Sequence, residues 1–162
     1  MSGLVTYTEL LDRVERLAAG GEFDEAASAL VALRRSGGAA GVDGMRPLLD
    51  LAAGLPPAQL TALLQALLRH RRDDRGWHVD SVIGALCPLL PGELPPDLVA
   101  ELLTFAEDSS YDIPVMTLAK LVALHLRHAP LPPAVLATME RRKRESLWLR
   151  ELAATAAARS AR

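Results

Sequence analysis

The densest polar stretch of the chain is Arg69-His70-Arg71-Arg72-Asp73-Asp74-Arg75-Gly76-Trp77-His78-Val79-Asp80. His70, Asp73, Asp74, His78 and Asp80 are all side chains able to ligate a metal, and imidazole beside carboxylate is the material of proton transfer. Their spacing fits no zinc arrangement, and the arginines at 69, 71, 72 and 75 repel a cation. The stretch therefore reads as a solvated connection between two helices, with Asp80 capping the second. Trp77 has two readings. An exposed Trp beside Arg is the pairing that anchors protein interfaces, and the alternative is a ring that plugs a groove between helices.

The remaining reactive groups form no catalytic set. His125 and His128 lie three apart, so they share a helical face, but no Cys or acidic residue nearby completes a ligand set. They fit basic residues near a helix C-terminus. Asp108-Ser109-Ser110-Tyr111-Asp112 starts like a calcium loop, yet Ile113 stands where glycine is required and Ala119 where the bidentate Glu is required. Cys87 lies in an apolar run without a basic neighbour, which marks an inert core thiol. As the single cysteine it forms no intrachain disulfide. No serine has a local base. The expectation is a non-enzymatic chain without metal or cofactor.

These residues must be positioned by helices. Leu and Ala supply 58 of the 162 residues, Val and Ile only 12, and aromatics 4%. That balance favours helix over strand. The length suits a single domain with a real core. Residues 1–139 carry a net charge of −6 and residues 140–162 a net +4. An acidic body with a basic tail is not the footprint of a dedicated nucleic-acid binder. The first thirteen residues show no secretory pattern, and the most apolar run, 82–91, is too short to span a bilayer. A cytoplasmic protein without membrane contact is the expectation.

One pattern repeats. Leu55-Pro56-Pro57 recurs as Leu94-Pro95-Pro96 and as Leu131-Pro132-Pro133, at spacings of 39 and 37 residues. The residue before proline is pushed out of the helical region, while proline suits the first helical position, so each copy ends one helix and starts another. Apolar helical patterns follow, as Leu60, Leu63, Leu64, Leu67 and Leu68, and as Leu98, Leu102, Leu103 and Ala106. Apolar segments at 47–53, 79–90 and 114–128 precede the copies. Pro88 is expected to kink its helix by losing the bond to Gly84.

Over about residues 42–145 this period and pattern resemble a HEAT-like α-solenoid, and Pro47, Pro88 and Pro114 match that family's habit of prolines in the first helix. The plain alternative is an irregular helical bundle. Gly21-Glu22-Phe23-Asp24-Glu25-Ala26 resembles the turn between the helices of a tetratricopeptide hairpin. The apolar faces Leu4, Tyr7, Leu11, Val14, Ala18 and Phe23, Ala26, Ala27, Leu30 flank it. Ser36-Gly37-Gly38-Ala39-Ala40-Gly41 reads as a joint. Glu140-Arg141-Arg142-Lys143-Arg144-Glu145-Ser146 interrupts the last apolar pattern, which resumes at Leu147, Trp148, Leu149 and Leu152 as a capping helix or a tail.

The fold expected is all-α, a right-handed stack of antiparallel helix hairpins with about 8–9 helices. It is read as one domain: an N-terminal hairpin at 1–35, a joint at 36–44, three helix pairs at 45–145, and a cap or tail at 146–162. The resemblance implies an exposed layer of second helices that binds a peptide, helix or partner protein. Its candidates are Gln65, Arg69, Arg72, Trp77, Glu101, Thr104, Glu107, Arg141 and Trp148. The alternative partner is nucleic acid, held by the basic segments 69–75 and 141–144.

Overall fold

A computed structural model describes residues 7–37, 46–90, 94–95, 97–98, 101–102 and 104–105, with positions 133, 137, 140, 141, 150, 154 and 158. The protein is all-helical, and no strand occurs among the described residues. The chain packs as two compact units, Met1–Leu89 and Leu90–Arg162.

The first unit opens with a helix hairpin. Helix α1 spans Tyr7–Ala19 and α2 spans Phe23–Gly37. The glycines between them end α1 by hydrogen bonding as well as by flexibility. Glu22 N–H donates to the Leu17 carbonyl at 2.9 Å and Gly21 N–H to the Ala18 carbonyl at 3.2 Å, which closes a Schellman motif. Gly21 takes φ of 77°, the left-handed conformation this motif needs. The small residues Ala18, Ala26 and Ala27 are fully buried and let the two helices approach closely. Charge agrees with the helix dipole in α2, which starts with Asp24 and Glu25 and ends with Arg34 and Arg35.

Helix α3, Arg46–Ala53, buries only Leu48 and Ala52. Gly54 and Leu55 close it with bonds back to Asp50, Leu51 and Ala52. Helix α4, Pro57–Asp73, then begins as the Leu-Pro-Pro reading requires. Pro56 is extended, with φ of −56° and ψ of 146°, and Pro57 is the first helical residue. Leu60, Leu63, Leu64, Ala66, Leu67 and Leu68 are all buried, so α4 packs against both α2 and α5. Each buried leucine contributes roughly 1.5–3 kcal/mol, and this face holds the unit together.

Helix α5 spans Trp77–Leu86. Its residues 79–84 are all buried, which makes it an interior helix. Three expectations are corrected here. The stretch 69–80 is not a long solvated loop, because α4 runs to Asp73 and α5 starts at Trp77. Asp80 is not a cap either. Gly76 occupies that position without a side-chain bond, and Asp80 is one turn inside the helix. Pro88 also ends the α-helix where a kink was expected. The chain passes at Cys87–Leu89 into a 3₁₀ turn, a tighter winding that needs no bond from position 88 to Gly84.

In the second unit, the described positions 97–98, 101–102 and 104–105 are helical and follow Leu94 and Pro95, which belong to no helix or strand. Leu98, Leu102 and Phe105 are buried at spacings of four and three, one face of a helix. The joint expected at 36–44 lies outside the described residues except for Ser36 and Gly37, which belong to α2. The third Leu-Pro-Pro copy is described only at Pro133, which is helical.

Candidate functional site

The C-terminal ends of α2 and α4 and the start of α5 meet in a polar junction. Arg71 is buried on α4 and faces the buried Asp80 of α5. Its Nε donates to Asp80 Oδ1 at 2.6 Å and its Nη2 to Oδ2 at 3.4 Å. Arg35 of α2 donates to Asp74 Oδ2 at 2.6 Å, and His70 Nε2 lies 3.3 Å from the same oxygen. The Arg35 hydrogen bond holds the Asp74 carboxyl below its ordinary range against some desolvation, and the Arg35 charge and His70 add to the effect. Arg69 reaches Asp24 at the start of α2 through Nη2 at 2.9 Å and Nε at 3.1 Å. Three arginines thus tie three helices to one another.

Trp77 stands at the edge of this junction and is 36% exposed. The guanidinium of Arg34 lies 4.6 Å from the centre of its ring, a cation–π arrangement. Arg34 Nε also donates to Ser81 Oγ at 3.2 Å, and Ser81 Oγ donates to the His78 carbonyl at 2.8 Å. The His78 ring meets Trp77 edge-on at 5.4 Å. Trp77 is therefore fixed by α2 and α5 while part of its ring remains open to solvent.

Of the sequence-derived candidates, Gln65, Arg69, Arg72 and Trp77 belong to the first unit, and Glu101, Thr104 and Arg141 to the second. Gln65, Arg69 and Arg72 lie at spacings of four and three, on one face of α4. Arg72 is exposed and Gln65 half-buried. Glu101 is half-buried, and its Oε2 is a buried atom with no hydrogen-bond partner among the described residues. Thr104 and Arg141 are exposed helical residues. Glu107 and Trp148 lie outside the described residues. Among the described residues, no three His, Cys, Asp or Glu side chains converge as a metal site would need. Burial pushes the Cys87 thiol up to about 12.

A concavity between α1 and α3 was not legible in the sequence. Leu11 and Glu15 of α1, Pro47, Asp50 and Leu51 of α3, and Leu55 of the next turn line a groove of about 420 Å³. Its four apolar members are half-buried, and Glu15 and Asp50 are exposed at its rim. Leu11 and Pro47 each looked like one more apolar position on a helix. Only the packing of α3 against α1 brings them together.

Comparison with family models, curated proteins and solved structures returned no match. No helix among the described residues is long and apolar enough to cross a membrane.

Proposed function

We propose that the protein is a non-catalytic interaction module, a HEAT-like stack of helix hairpins that binds a peptide, helix or partner protein on its exposed helical surface. About 8–9 helices over the whole chain would complete that stack, and a cytoplasmic setting suits it. The observation that carries the reading is the Trp77–Arg34 pair. A large aromatic side chain, partly exposed and already held by Arg34 and Ser81, loses little freedom when a partner covers it. Trp and Arg are also the residues that most often dominate binding energy. The outer face of α4, with Gln65, Arg69 and Arg72, supplies a polar rim.

Phosphate contact is the weaker reading. Arg71 is buried on Asp80, and Arg69 is already paired with Asp24 at the surface, so both guanidinium groups have a carboxylate partner. A photoreactive residue at position 72 tests the choice in the native cell. The expected product is a discrete protein adduct that Trp77→Ala removes. Adducts that nuclease digestion shortens, unaffected by Trp77→Ala, would overturn the reading.

A further inference from the structure

We propose that the α1–α3 groove seats one face of a basic amphipathic helix from a partner protein. The inference rests on reading the chain as an interaction module, and it assigns a second surface and the chemistry of what fills it. Single half-exposed leucines are ordinary on a protein surface, but Leu11, Pro47, Leu51 and Leu55 line one concavity. A trough between two helices is the shape that accepts a third, with apolar side chains one turn apart as anchors.

Charge decides the character of the occupant. Glu15 and Asp50 are the charged residues of the lining, and both are acidic and exposed. Glu15 makes no ion pair among the described residues. Asp50 meets Arg46 at 3.8 Å, with both side chains more than two-thirds exposed, so that pair is weak and easily exchanged. The arginines of α1 do not offset this field. At about 100° per residue, Arg16 sits about 100° around the helix from Glu15, and Arg13 about 160°. An incoming helix with Leu at its centre and Lys or Arg on its flanks matches both the floor and the rim.

The test uses the full chain and two synthetic helices of about four turns. Both carry Leu at i, i+3, i+4 and i+7, one with Lys flanks and the other with Glu flanks. Fluorescence anisotropy should show the Lys helix binding at least about tenfold tighter. The double variant Glu15→Lys with Asp50→Lys should invert that preference, and its circular dichroism should match the parent because both sites are on the surface. Trp77→Ala should leave the Lys helix bound as before. Equal affinity for the two helices would overturn the proposal, as would binding that survives the charge reversal. A dimer of the chain that the same reversal dissolves would overturn it too, by making a second copy the occupant. The two surfaces fail separately. A protein adduct at position 72 with no discrimination between the helices sinks the groove alone. Charge-selective helix binding with no such adduct sinks the Trp77 surface alone.

Discussion

The guanidinium of Arg71 forks onto the carboxylate of Asp80, nine residues further along the chain, and both side chains are buried. This pair joins the end of α4 to the first turns of α5 across a three-residue connection. Removing one partner strands a buried charge, which typically costs about 3–5 kcal/mol. Asp80→Asn is therefore expected to lower stability by that order in a denaturant titration. Replacing both residues by apolar ones, as in Arg71→Met with Asp80→Leu, should recover most of the loss. Equal losses in the single and double variants would show that the pair acts through something other than its charge.

Gly21 and Gly20 should respond differently to alanine. Gly21 has room for a methyl group but adopts φ of 77°, so Gly21→Ala should cost about 1–2 kcal/mol through its backbone alone. At Gly20 an added carbon would sit 3.4 Å from the Arg16 carbonyl oxygen, an ordinary contact, and φ is not positive. Gly20→Ala should therefore be much milder. The comparison of the two midpoints in urea checks this.

Acid should loosen the tie between α2 and the α4–α5 turn. The Asp74 carboxyl is held below its ordinary value, chiefly by its bond from Arg35. Its contribution is full above the unfolded-state value of about 3.9 and is lost as pH falls through the lower folded value. Asp74→Asn should flatten the acid limb of the stability curve in that window. An unchanged limb would remove Asp74 from the account. Because the carboxylate is about one-third exposed, the effect is smaller than that of the buried pair.

Cys87 should be silent to thiol reagents in the native protein. Burial raises its thiol to about 12, so the thiolate is scarce at neutral pH and the sulfur is covered. Its labelling rate should follow unfolding as denaturant is added. The neutral thiol favours the folded state fully below the unfolded cysteine value, and this contribution declines as pH rises toward 12. Rapid labelling without denaturant would show that the 3₁₀ turn opens by itself.

Local rules made much of the fold legible. Leu55-Pro56-Pro57 announced the start of α4, the segment from Gly21 the connection between α1 and α2, and the spacing of Leu98 and Leu102 a buried helical face. Each of these depends on residues within a turn or two of one another. The polar junction was not legible, since Arg69 finds Asp24 across 45 residues and Arg35 finds Asp74 across 39. Charge type alone made Arg71 look like a surface group awaiting phosphate, whereas it is buried against Asp80. The same limit hid the α1–α3 groove, whose lining comes from three separate segments. Pro88 misled for another reason: the loss of one helical bond permits either a bend or a stop.

The closeness in sequence of Arg71 and Asp80 also bears on how quickly the chain finds its shape. Closing so short a loop takes little entropy, and the leucines of α4 lie beside it. The α4–α5 hairpin is then a natural nucleus. Core substitutions there, such as Leu67→Ala, should retard folding in stopped-flow experiments, whereas changes in α1 should mainly hasten unfolding.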